Sequence, residues 1–261
     1  MNKVVVITGG TSGIGLDLKN LFEKNGDTVI TISTRELDDD KHYSCSVSDE
    51  KNIKNVIDQI GQKYQKIDVL INNAGFGMSG ITELISTQKV RELTEVNYYG
   101  TLYTIQASIK YMNKGSKIIN ISSAMALFPV PFRAIYGSVK SAVLTLSFAL
   151  RMELKPLGID VVAICPGDIK TNFTKNRIKE FETNSRYGNR LNSATIKSDS
   201  REEKRMSSIS CAKSIFKKIK HKKCKPFYII GFKYKLLYFL TRITPKSWLL
   251  NITNKLYGGK Y

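Results

Sequence analysis

The stretch Lys3–Gly15, KVVVITGGTSGIG, constrains the fold more than any other part of the chain. Val4 to Ile7 are four consecutive β-branched residues. A run apolar on both faces suits a strand buried inside a sheet rather than one half-exposed to water. The glycines that follow permit a tight turn, and the apolar spacing of SGIGLDLKNLFEKNG (12–26) predicts a helix that stops at Gly26. The pattern continues. TVITIS (28–33), DVLINNAG (68–75), SKIINISS (116–123), IDVVAICPG (159–167) and PFYIIG (226–231) are further strand-like runs. Between them lie helical patterns such as DEKNIKNVIDQIGQKY (49–64), with Ile53, Val56, Ile57 and Ile60 on one face, and SISCAKSIFKKIK (208–220). Fully apolar strands alternating with helices imply a parallel sheet covered on both sides. Right-handed crossovers then make it a doubly wound α/β fold.

A chain of 261 residues is long enough for one large domain of this kind. We expect that domain over residues 1–231, with the polar, weakly periodic stretch 172–206 as a loop over the substrate, and a basic amphipathic extension over 232–261. Lysine and arginine number 41 against 22 acidic residues, a net charge of +19, which favours anionic partners: nucleotides, nucleic acid or anionic lipid. Cys45, Cys165, Cys211 and Cys224 form no CxxC pair and read as free thiols in a reducing, cytoplasmic compartment. His42 with Cys45, and His221 with Cys224, lack a partner pair at zinc-site spacing, so no metal site is expected. The N-terminal apolar run is too short for a signal peptide, and no stretch of about 18 apolar residues predicts a membrane-spanning helix.

AIYGSVKSAV (134–143) sets Tyr136 and Lys140 four residues apart, on one helix face. Alone, such a pair is an ordinary surface pair. It stands, however, in ordered company: TGGTSGIG (8–15) at the first strand–helix turn, NNAG (72–75), Asn97 in EVNYYG, Ser123 closing NISS 13 residues before Tyr136, and PGDIKT (166–171). Together these resemble the short-chain dehydrogenase/reductase family over residues 1 to about 175. The resemblance implies a Rossmann fold and an oxidoreductase that interconverts a ketone or aldehyde and an alcohol by hydride exchange with a nicotinamide cofactor.

The resemblance also assigns roles. Tyr136 would be the general acid/base. A free tyrosine titrates near 10, and the Lys140 ammonium, helped by the nicotinamide charge, would favour the phenolate. Ser123 would hydrogen-bond the reacting oxygen, and Asn97 would order what positions Lys140. The cofactor would lie on Gly9, Thr11, Ser12, Gly13, Ile14 and Gly15, where glycine allows close approach and the helix start offers N–H groups to phosphate. Val47, then Asn73, Ala74 and Gly75, then Pro166, Gly167, Ile169 and Thr171, together with Tyr136 and Lys140, would complete its site.

The second strand ends ISTR, with neutral Thr34 and then Arg35. An acid there would bind the ribose hydroxyls of NAD(H). Arg35 instead suits a 2′-phosphate, so NADP(H) is the expected cofactor, with NAD(H) left open. Two departures stand against the family pattern. Ser12 replaces a basic residue before Gly13, and Ser46 occupies the position of an adenine-contacting aspartate.

Residues 204–261 hold 15 lysines and arginines and no acid. Phe232, Leu236, Phe239, Leu240 and Ile243 recur at helical spacing among amphipathic Tyr234, Tyr238 and Trp248. This suits peripheral contact with an anionic membrane and a lipophilic carbonyl or alcohol substrate. Packing on the core or on a partner in a homo-oligomer is the competing reading. Nucleic acid is disfavoured because no recognition motif is present. The functional rival is a catalytically idle nucleotide-binding protein that regulates or scaffolds through this tail.

Overall fold

The computed structural model describes residues 2–171, 178–179, 185–199 and 205–259. Seven strands form one sheet: β1 (Val4–Thr8), β2 (Thr28–Ser33), β3 (His42–Ser44), β4 (Val69–Asn72), β6 (Lys117–Ile121), β7 (Asp160–Pro166) and β11 (Phe227–Ile230). Their order is β11-β7-β6-β4-β1-β2-β3, and every pairing is parallel. Short pairs lie outside it: β5 (Met78–Ser79) with β9 (Ile178–Lys179), and β8 (Ile169–Lys170) with β10 (Met206–Ser207).

Alternation along β1 explains both layers. Val4 and Val6 enter one core, against Ile53, Ile57 and Ile60 of α2 (Glu50–Tyr64) and Ile105 of α4 (Gly100–Ser108). Val5 and Ile7 enter the other, against Leu18 and Phe22 of α1 (Gly13–Lys24) and Ile215 and Ile219 of α7 (Ser208–Ile219). The doubly wound fold expected from the sequence is present. Helix α3 (Thr87–Thr94) runs through a π-helical turn, Glu95–Tyr99, into α4, and α5 (Ala134–Glu153) follows β6.

Of the loop expected over 172–206, residues 172–177, 180–184 and 200–204 lie outside the described residues. Its described parts include β9 and α6 (Arg190–Asp199). The tail forms α8 (Phe232–Ile243) and α9 (Lys246–Tyr257). Tyr234, Leu237 and Leu249 bury themselves with Phe128, Cys165 and Ile229, so one side of this extension belongs to the domain's own core.

Candidate active site

The strand order reverses between β1 and β4, and a crevice opens where the loops leaving these two strands diverge. A cleft of about 240 Å³ lies there. Its floor depends on glycine. Gly9 has φ +66°, and a Cβ on it would stand 2.9 Å from the Ala74 Cα of the neighbouring loop. Asn73 ties the loops together. Its amide Nδ2 donates to the carbonyls of Thr8 (3.1 Å) and Gly9 (3.0 Å), while the N–H groups of Asn73 and Ala74 both donate to Thr8 Oγ1 at 3.1 Å. Ser12 begins α1 in extended conformation and makes no side-chain capping bond. The first-turn N–H groups therefore have no side-chain acceptor from the cap, and Ser12, Gly13 and Ile14 line the cleft. A glycine cradle beneath an uncapped helix start fits a dinucleotide diphosphate.

The opposite wall is built by β6 and α5. Tyr136 and Lys140 are both buried, with the Lys140 Nζ 6.0 Å from the centre of the Tyr136 ring. Lys140 Nζ donates to the Ile121 carbonyl at 3.1 Å. Burial pushes its pKa down to about 8, with a small opposing pull from Cys165. Ser122 Oγ donates to the Lys140 carbonyl at 2.8 Å and so holds α5 on β6. Ser123 caps the turn Ala124–Ala126, its Oγ accepting from the Met125 N–H at 3.1 Å. Because the oxygen accepts there, its O–H remains a donor.

Asn97 lies at the centre of the π-helical turn, fully buried. Its Nδ2 donates to the carbonyls of Leu93 (3.0 Å) and Phe76 (3.2 Å). Its Oδ1 is buried without a hydrogen-bond partner among the described residues. A Cβ on Gly75 would stand 2.5 Å from that oxygen and 3.5 Å from Lys140 Nζ, so Gly75 is the spacer between the two side chains. A π turn inside a helix commonly marks a functional position.

The cleft gathers most residues named from the sequence: Gly9, Ser12, Gly13 and Ile14 from one loop, Asn73, Ala74 and Gly75 from the next, Ser123, Tyr136 and Lys140 from the opposite wall, and Pro166, Gly167, Ile169 and Thr171 beyond. Thr11, Gly15, Arg35, Val47 and Asn97 stand outside its lining. Asn97 stands behind Gly75, and Val47 is buried, close against Gly100. Arg35 lies at the end of β2, where its Nη1 donates to the Thr11 carbonyl at 3.1 Å, beside the glycine loop. Sequence reasoning missed Phe76, Ile121, Ser122, Met125, Arg133, Asp168 and Arg205 in the lining. Asp168 sits inside PGDIKT and was within reach of that motif. Arg205 had no sequence signal. It reaches the site only because β10 pairs with β8, setting Met206 against Ile169.

The family model for short chain dehydrogenases matches residues 3–182. A probable short-chain type dehydrogenase/reductase of Helicobacter pylori, VdlC, is 33% identical over 259 residues, 94% of each chain. A 3-ketodihydrosphingosine reductase of Bacteroides thetaiotaomicron is 33% identical over 180 residues, 67% of each chain. Among solved structures, ElxO with NADP bound superposes with a TM-score of 0.74 at 27% identity, over 90% of this chain and 100% of that one.

Proposed function

The chain belongs to the short-chain dehydrogenase/reductase family, oxidoreductases of CH–OH and C=O groups with a nicotinamide cofactor, and from this premise we propose an NADP(H)-dependent enzyme that interconverts a lipophilic ketone or aldehyde and its alcohol. The observation that carries the reading is the convergence of Ser123, Tyr136 and Lys140 on one cleft with the glycine cradle. When bound, the cofactor supplies or accepts the hydride.

The chain's own residues do the rest. Gly9, Gly13 and the start of α1 hold the diphosphate, and Arg35, already beside the Thr11 carbonyl, pairs with a 2′-phosphate. Tyr136 gives a proton to the carbonyl oxygen during reduction and takes it back in the reverse direction. Lys140 sets a positive charge beside the phenol and thereby favours its ionised form. Ser123 donates its O–H to the same oxygen and steadies the charge that develops there. Asn97 keeps the Gly75 loop and Lys140 in register. The apolar Phe76 and Met125 of the cleft and the 3-ketodihydrosphingosine reductase relative support a lipophilic substrate, and the basic tail supports peripheral contact with an anionic membrane.

The test follows NADPH and NADH oxidation against a panel of aliphatic and lipid-like ketones and aldehydes, with Tyr136→Phe alongside. Wild-type turnover with NADPH is expected. The variant should lose at least about 100-fold in kcat while still binding NADPH. A catalytically idle protein would bind nucleotide and turn over none of the panel. A variant as active as wild type would remove Tyr136 from the mechanism.

A further inference from the structure

We propose that the exposed side of α8 and α9 docks on an anionic bilayer and lays the cleft beside the lipid. The proposal rests on the lipophilic-substrate reading above and deepens it by naming the surface and the chemistry it meets. Phe232, Leu236, Phe239 and Ile243 fall at i, i+4, i+7 and i+11 and so form one row along α8. They are exposed, Phe232 at 82%, Phe239 at 58% and Ile243 at 62%. The other side of the same helix carries the buried Tyr234 and Leu237. Thus α8 has two apolar sides, one docked on the core and one open. On α9, Trp248 (65% exposed) and Ile252 continue the open surface one turn apart. Solvent-facing apolar rows of this size mark an interaction site.

Its rim decides what that site takes. Lys235 and Arg242 border the row on α8. Lys218 lies near Lys235, Lys217 and Lys225, and burial together with these neighbouring cations pushes the Lys218 ammonium down. No acidic residue occurs anywhere from 204 to 261 to balance them. A second copy of the chain on a two-fold axis would set this cationic rim against itself. Nucleic acid would satisfy the cations and leave the aliphatic row wet. Anionic lipid satisfies both, with headgroup phosphates for the lysines and arginine and acyl chains for the row.

The docked side leads to the cleft. Tyr234 packs on Gly167 and donates its hydroxyl to Asp168, and both Gly167 and Asp168 line the cleft. Tyr257 at the end of α9 lines a small adjoining cavity with Met125 and Arg133. An apolar substrate dissolved in the bilayer would therefore meet the enzyme on the side of its cleft.

The experiment uses the full chain, with vesicles rich in phosphatidylserine and vesicles of phosphatidylcholine alone. Trp248 is the only tryptophan, so its emission reports this surface directly. Expected are cosedimentation with the anionic vesicles only, a blue shift of Trp248, and release at about 1 M salt, where screening shortens to about 3 Å. Replacing Lys235, Arg242 and Lys246 by glutamine should weaken vesicle binding on the order of 100-fold, about fivefold per cation. Phe239→Ser with Ile243→Ser should abolish the emission shift. Absence of cosedimentation by the wild type overturns the proposal, as does binding that neither variant changes. A serine variant that converts a solution dimer to monomer, with no vesicle binding by the wild type, overturns it in favour of a copy-to-copy interface. Turnover of lipid-like and of short polar ketones with NADPH in vesicle-free buffer separates the two readings. No docking with the lipid-like ketones still reduced refutes the membrane surface alone, and docking with only the polar ketones reduced refutes the lipophilic-substrate reading alone.

Discussion

Lys140→Met should abolish turnover with cofactor and leave the cofactor-free protein slightly more stable at neutral pH. The Lys140 side chain is buried, and its pKa falls from 10.5 to about 8 because burial disfavours the ammonium. At about 1.36 kcal/mol per unit, holding that charge inside the fold costs about 3 kcal/mol at pH 7. Methionine fills similar space without charge, but it removes the 3.1 Å bond to the Ile121 carbonyl, a loss of about 1–3 kcal/mol. The balance favours the variant by about 1 kcal/mol, or about 2–4 °C in Tm for a chain of this size. The pH dependence is the sharper test. Between about 8 and 10.5 the unfolded state binds more protons at this lysine than the folded state does, so wild-type stability rises with pH across that window. By about pH 9.5 the cost of the buried charge has fallen to about 1.4 kcal/mol, and the advantage of methionine disappears. Urea denaturation of both proteins at pH 7 and pH 9.5, without nucleotide, measures the difference. A variant less stable by more than about 2 kcal/mol at pH 7, or a difference that does not change with pH, would refute the reasoning.

Two further predictions address the cofactor site. Arg35→Asp should raise the Kd for NADPH at least about tenfold while leaving NADH binding unchanged or tighter, since the exchange removes one charge-assisted pair and repels the 2′-phosphate; equal wild-type affinity for the two cofactors, measured by titration, would count against it. Gly75→Ala forces a Cβ to within 2.5 Å of the buried Asn97 Oδ1. It should cost about 1–3 kcal/mol in denaturant unfolding and weaken cofactor binding, and wild-type values for both would show that Asn97 and Lys140 are not held in register through this glycine.

What the sequence determined by itself is what local pattern encodes. Val4–Ile7 could only be a strand buried on both faces, and the glycines after it could only be a turn. Tyr136 and Lys140 share a face because one helix carries both, the start of α2 follows from Asp49, which caps it, and the spacing of its isoleucines sets its buried face. Ser123 was legible because it lies just past the end of β6, and Tyr136 and Lys140 because they stand one turn apart near the start of α5. Tertiary structure decided the rest. Asn97 reaches the site only through the space that Gly75 leaves open, and Arg205 only because β10 settles beside β8, 37 residues on from Ile169 to Met206. Val47 packs near Gly100, a contact between elements distant in sequence that no local pattern states. The tail shows the limit most clearly. Helical spacing identified Phe232, Leu236, Phe239 and Ile243 as one apolar row, but an apolar row looks the same in sequence whether it meets a core or solvent. That choice fell to Gly167, whose missing side chain admits the Tyr234 ring and so turns the opposite side of α8 outward. Periodicity along a chain states which residues share a face, and only the packing of elements distant in sequence states what that face touches.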